Sequence, residues 1–499
     1  MPGSGRWGAR SRFPILFNLS DEMVPARSFA VVLLAVLGCA GAGCASVAVP
    51  EEPTVPNPAR PVWEPPALLE HLRFFNQNDL SDRATGTVGF AGTAAYVAAR
   101  MREFRLQPVL GSSFRVLYQT PLNYPLGGVL SMSGAADTLS FWMGVDVLPD
   151  GRSDSGAVAA TRLARVSPEE APGEAGGDPL PGAPVVMIEA TRATTPYLEA
   201  LARQGVQAVL AVGALRPNPA PAPVDGLVVM QIVPEAAAQI VNRSPAFLEA
   251  WLAGVGPPVL ALRATLQMHV VADHQPLAGA MNLIGLQPGK HPRLASDLVL
   301  VCADLDALGR FGGVGVFDVR HMGAGAAAVL EVARLYSAFA RYWPLPERTI
   351  MFAFWSGARV GHAGLKAYLR NPPWLLERTR AVIYAGLAPE EEPAVRALLA
   401  AHGLPLYVVP DPLHEEDLPP FLLQPPPEVP RRARAAARPA PAVSGRMLVQ
   451  RAVAAAQAMA DSVNVLLLRE AIRPGGVVPV SPDRLRIPAE APPDEGPSR

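Results

Sequence analysis

The sequence predicts an α/β chain built on a mostly parallel, mixed sheet with helices on both faces. Three observations carry this expectation. Strand-length apolar runs alternate with amphipathic helical stretches, the order that builds parallel sheets through helical crossovers. Residues 298–303, LVLVCA, are apolar without a break, as a strand covered on both faces requires. TIMFAFW, from Thr349 to Trp355, is a second such run and stops at Ser356-Gly357. A strand ending in a tight loop is where α/β folds place their chemistry.

The 499 residues allow roughly two to four domains, and a hydrophobic content of 50% is ample for large cores. Charged residues are only 17% and the net charge is -1, so no nucleic-acid partner is expected. The 55 prolines cluster at 50–66, 168–184, 217–223, 425–441 and the C-terminal tail, which read as linkers and loops. Three cysteines give no disulfide framework, and Cys302, inside an apolar strand, reads as a buried inert thiol.

Arg27 precedes the apolar run 29–37, a charged segment and a hydrophobic segment too short to span a bilayer. Val36-Leu37-Gly38-Cys39 resembles a bacterial lipobox, in which a small residue precedes the cysteine that takes the lipid. Residues 1–38 are therefore expected to be a signal peptide, with Met23 an attractive true start. Cys39 is the expected lipidation site, and its acyl chains would anchor the protein by hydrophobic burial. Cleavage near Ala45 as an ordinary signal peptide is the alternative. The expected location is the bacterial envelope, at the outer membrane facing the periplasm.

Residues 39–66 follow as a Pro-rich tether. Residues 67–75 read as a helix with Leu68, Leu69, Leu72 and Phe75 on one face, and 93–104 as a second, amphipathic helix. Between them lie Arg83, Gly86 and Gly89. Strands are expected at 184–189, 206–212 and 227–232, with helices at 194–204 and 234–241. The main sheet resumes at 280–289, AMNLIGLQPG, and continues at 298–303, 349–355 and 381–384. Helices are expected at 325–339 and 449–468, and residues 474–499 as a disordered tail.

Residues 347–369, ERTIMFAFWSGARVGHAGLKAYL, resemble the catalytic loop of metallopeptidase family 28, the co-catalytic zinc aminopeptidases. That family reads R-T-x-x-F-x-x-W-S-G-E-E-x-G-L-x-G-S there. Arg348, Thr349, Phe352, Trp355, Ser356, Gly357, Gly361 and Gly364 match. The resemblance implies a three-layer αβα zinc-exopeptidase-like domain, formed by residues 67–130 and 266–473, with 425–442 a disordered loop. It also implies a protease-associated-like α+β insertion at 131–265, which in the family is a lid or binding surface.

The same resemblance implies five zinc ligands and a glutamate base, with zinc lowering the pKa of a bridging water that becomes the nucleophile. Asp304 stands where the family has its first His ligand, and Asp306 matches the Asp that orients the set. His321 stands at the bridging Asp. Ala358 replaces the base and Arg359 the glutamate ligand, placing a guanidinium, which does not deprotonate, where a cation belongs. Gly386 takes the fourth ligand position and Leu418 the fifth. Asp304 and His321 are thus the remaining metal candidates, and no catalytic residue is expected. His362 and His402 read as isolated surface residues.

Two readings follow. The first is an envelope lipoprotein that keeps the aminopeptidase-like fold as a catalytically inactive binding or scaffold protein, a pseudoenzyme needing no cofactor, with a peptide or protein partner. The second is a divergent metal-dependent exopeptidase that uses zinc through Asp304, Asp306 and His321. A variant of the first makes the 131–265 segment the working part and the main domain its mount.

Overall fold

Leu298–Asp304 is central because both of its faces are apolar and both of its edges find parallel partners. On one edge it pairs in register with Thr349–Trp355, from Leu298 opposite Thr349 to Asp304 opposite Trp355. On the other it pairs with Thr379–Ala385, which pairs in turn with the edge strand Leu406–Val409. Alternation along the strand separates two cores. Val299, Val301 and Ala303 pack with the helices Pro65–Phe75, Val88–Glu103, Ala324–Ser337 and Gly445–Leu467. Leu298, Leu300 and Cys302 pack on the opposite face with Ala363–Arg370 and Glu392–Ala400. The result is helix, sheet and helix in three layers, the fold class expected.

This computed structural model describes residues 65–76, 82–134, 138–166, 183–318, 322–337, 345–412, 421–424 and 445–472. The expectations about Cys39, His321 and Leu418, the leader, most of the tether, the 425–442 loop and the tail lie outside these residues. No described helix is long and apolar enough to cross a membrane.

One strand joins two groups of strands. Val259–Gln287 pairs antiparallel with Thr349–Trp355 through residues 283–287 and with Gly156–Arg165 through residues 259–270. Arg115–Ser133 runs antiparallel along most of its length. Beyond Gly156–Arg165 the strands Val185–Glu189, Ala208–Val212 and Val228–Ile232 follow in parallel, and Val147–Pro149 closes that edge antiparallel. The expected strand-helix-strand-strand-helix series of 184–241 is present, each element within two residues of its expected bounds. Gly156–Arg165 was not anticipated: GAVAATRLAR is rich in alanine and carries little β-propensity. Nor was the helix Pro245–Leu252, which Ser244 caps by accepting a hydrogen bond from Phe247 N.

Two further corrections concern the peptidase-like half. The second helix begins at Val88, not 93, with Thr87 as its N-cap. Its glycine-bearing first turn hides the start. No element was assigned between the strand at 381–384 and the loop at 425–442. That stretch contains the helix Glu392–Ala400, whose Val395 and Leu399 are buried, and the strand Leu406–Val409. The composition of 425–441 masked this short periodic segment.

Candidate functional site: carboxylates gathered around an arginine

The register that sets Asp304 opposite Trp355 brings two strand ends together, and Leu305 N donates to Trp355 O across them (2.8 Å). The loop after Trp355 is shaped by its glycines. Gly357 has φ +72°, and a Cβ on it would lie 2.7 Å from Ala363 Cβ. A Cβ on Gly364 would lie 2.3 Å from both Asn282 Oδ1 and Ser356 O. Asn282, from the N-x-I-G strand, donates to Gly364 O (2.9 Å) and accepts from Ser356 N (3.2 Å). These glycines are required by the loop's own conformation and close packing.

The Arg83–Gly86 turn braces the site. Arg83, 2% exposed, donates to Leu305 O (3.3 Å) and to Phe75 O, with its guanidinium 5.5 Å from the Phe75 ring. Burial lowers its pKa to about 10. Thr85 Oγ1 donates to Asp306 Oδ2 (3.1 Å) and accepts from Gly357 N (2.7 Å), while Ala358 N donates to Asp306 Oδ1 (3.3 Å). Asp306 is therefore a buried tie between three loops, not a solvated loop residue.

Arg359 occupies the middle. Its Nη2 lies 2.5 Å from Asp318 Oδ2 and its Nη1 3.6 Å from Glu391 Oε1. Burial opposes its charge, yet Asp318 and Glu391 hold the guanidinium above its ordinary pKa. Burial, with Glu391 and Asp306 nearby, pushes the Asp304 carboxyl well up, and Tyr384 OH donates to Asp304 Oδ1 (2.6 Å). Burial likewise raises Asp306, and it pushes Glu391 up to about 7 despite Arg359. Asp304, His362 and Glu391 each present one ligand atom, all within 4.8 Å of one another. A small cavity of about 10 Å³, lined by Thr85, Leu122, Tyr124, Asp306 and Arg359 among others, is room for about one water. An outer cavity of about 310 Å³ shares Thr85, Leu122 and Tyr124 with it and adds Asp82, Asp273 and Arg310.

Residues 282–396 match peptidase family M28. The matched segment spans Asn282, the strands Leu298–Asp304, Thr349–Trp355 and Thr379–Ala385, the loop after Trp355, and Glu391. No curated protein matches. Solved structures that are similar include an aminopeptidase from Aneurinibacillus sp. strain AM-1, 16% identical, with 84% of this chain and 97% of that chain covered and a TM-score of 0.49. The zinc aminopeptidase BSAP from Bacillus subtilis is 14% identical, with 83% and 97% covered and a TM-score of 0.49. A peptidase M28 precursor from Shewanella amazonensis SB2B is 15% identical, with 84% and 98% covered and a TM-score of 0.47.

The described positions that the resemblance matches to M28 ligands do not fit a pair of zinc ions. Arg359 puts its guanidinium between Asp318 and Glu391. Ala358 offers no base. Gly386, φ +75°, packs so closely on the helix start at Gly325 that a Cβ would lie 3.2 Å from Gly325 Cα. Asp304 and Asp306 are brought together as expected.

Three residues of the cluster escaped sequence reading. Asp318 stands three residues before the position matched to the bridging Asp, inside an alternating strand, Val314–Asp318. Glu391 lies within Glu390-Glu391-Glu392, which reads as ordinary acidic residues at a helix start. His362 is 7% exposed, not on the surface, and sits in the left-handed region (φ +56°) between Gly361 and Ala363. A histidine flanked by turn residues was the one available signal. His402 is exposed, as read.

Proposed function

We propose that this chain is a lipid-anchored envelope protein that keeps the aminopeptidase fold as a binding scaffold and does not hydrolyse peptides. The observation that carries this reading is Arg359, a permanent cation among the carboxylates at a position where M28 chemistry needs a ligand and, beside it at Ala358, a base. Binding is assigned to the outer cavity beside Tyr124 and to the 131–265 segment, with a peptide or protein partner. Cys39 carries the lipid and holds the protein at the outer membrane, facing the periplasm.

The test is hydrolysis. The full chain in detergent, supplied with zinc, is assayed against a panel of amino-acid p-nitroanilides and dipeptides. No turnover above the blank is expected. Zinc-dependent turnover that Asp306→Asn abolishes would overturn the reading and restore the exopeptidase alternative. Replacing Cys39 by Ala should move the protein from the membrane fraction to the soluble fraction, and continued membrane retention would remove the anchor from the proposal.

A further inference from the structure

The carboxylates around Arg359 outnumber the arginines facing them. Asp304, Asp306, Asp318 and Glu391 lie within electrostatic reach of one another or of Arg359. Two guanidiniums oppose them: Arg359, on Asp318 and Glu391, and Arg83, within reach of Asp318 and Asp306. The four acids share two guanidiniums, so Arg359 divides its charge between Asp318 and Glu391 and the acids named here outnumber the guanidiniums by two. Asp318 takes the hydrogen bond from Arg359, and Asp306 is held by Thr85 and Ala358. Asp304 and Glu391 are left as the pair in excess.

That pair converges with the histidine of the same cluster. Asp304 comes from the end of the central strand, His362 from the start of the helix Ala363–Arg370, and Glu391 from the segment before Glu392–Ala400. Their ligand atoms lie within 4.8 Å of one another although the residues are far apart in the chain. Glu391 Oε1 faces Arg359, while Oε2 is buried and accepts no hydrogen bond from any described residue. Tyr384 OH fixes the Asp304 carboxylate by donating to Oδ1, as second partners commonly orient metal ligands. His362 is held in a left-handed conformation that a non-glycine residue adopts at a cost, which the surrounding fold must impose.

We propose that Asp304, His362 and Glu391 hold one divalent first-row cation, zinc being the best match for one nitrogen and two oxygen donors. Water completes the coordination, and the double positive charge offsets the two excess carboxylates. This is a single site in which His362 and Glu391 are not at the positions the M28 resemblance assigns to ligands. It sits beside Arg359 and does not displace it. The site does not depend on whether the chain hydrolyses peptides, because a cation here has no base at position 358.

The test is metal retention and titration on the full chain in detergent, stripped with EDTA and then incubated with zinc and desalted. One equivalent by mass spectrometry is expected, with cobalt substitution giving a visible d–d absorption that changes when His362 is lost. Glu391→Gln and His362→Ala should each weaken zinc binding at least tenfold, while His402→Ala leaves it unchanged. Circular dichroism checks that each variant is folded, and the nearly isosteric Glu391→Gln keeps the test decisive if His362→Ala unfolds. A folded wild-type chain that retains no zinc, or binding unaffected by Glu391→Gln, overturns the site. Retention without hydrolysis leaves both proposals standing. Hydrolysis together with retention sinks only the scaffold reading, and neither retention nor hydrolysis sinks only the cation site.

Discussion

Two buried ionic clusters in this chain follow opposite rules. Around Asp150 every charge is matched. Its Oδ1 accepts from Arg152 N (3.0 Å) and Nε (2.7 Å), and its Oδ2 from Arg152 Nη2 (2.8 Å) and Asn218 Nδ2 (2.7 Å). Arg152 also donates to Ala193 O, and Gln231 bonds Asn218 and Arg216. One carboxylate meets one guanidinium, and the cluster ties three loops to the strand Val228–Ile232. Around Arg359 four carboxylates meet two guanidiniums, and burial drives Glu391 up to about 7. A matched buried cluster specifies structure. An unmatched one keeps an affinity for positive charge, because an ion taken out of water needs a partner.

The largest effect should come from breaking the matched cluster. Asp150→Ala leaves the half-buried Arg152 without its carboxylate, and a guanidinium cannot escape by losing its proton. A loss of about 4 kcal/mol is expected by urea denaturation. A loss below about 1 kcal/mol would show that Asp150 is not the tie. Arg359→Met should cost less, about 2 to 3 kcal/mol, because the carboxylates it exposes to one another can take up protons. A larger loss than that of Asp150→Ala would reverse the contrast. Glu391→Gln should have the opposite sign: measured in EDTA it is neutral or stabilises by about 1 kcal/mol, since it removes a charge already in excess. Destabilisation in EDTA would mean that the contact with Arg359 outweighs the repulsion from Asp304 and Asp306.

The sequence exposes the sheet and hides the cluster, for one physical reason. Strands such as LVLVCA and TIMFAFW are legible because burial on both faces demands unbroken apolar runs. The loop glycines are legible because the positive φ at Gly357 and the close packing at Gly357 and Gly364 tolerate nothing larger. Ala358 and Arg359 could be located because these fixed points flank them. Asp318, His362 and Glu391 meet only through tertiary structure, and each looks ordinary in its own stretch: a strand end, a turn and an acidic helix start. Gly156–Arg165 was missed for a related reason. Its alanines are set in the sheet by pairing with Val259–Gln287, not by their own propensity.

A third cluster reverses the imbalance and shows why burial matters to the comparison. Asp297 faces three arginines: Arg380 (3.0 and 3.1 Å), Arg378 (3.4 Å) and Arg348 (3.8 Å). Here the cations are in excess, but Arg378 and Arg380 are 50% and 43% exposed, so water and salt carry their surplus. The hydrogen bond from Arg380 is the main cause holding the Asp297 carboxyl below its ordinary range, against some desolvation. A depressed carboxylate stabilises the folded state above its unfolded pKa, about 3.9, and that stability is lost as the pH falls through the lower folded value. Asp297→Asn should therefore cost only about 1 kcal/mol at pH 7, and less in 1 M salt. The difference between wild type and variant should shrink as the pH falls below the unfolded value and vanish once it is below the folded one. A difference that does not shrink on acidification would assign the loss to packing around Thr349, whose N–H donates to Asp297 O, and not to charge.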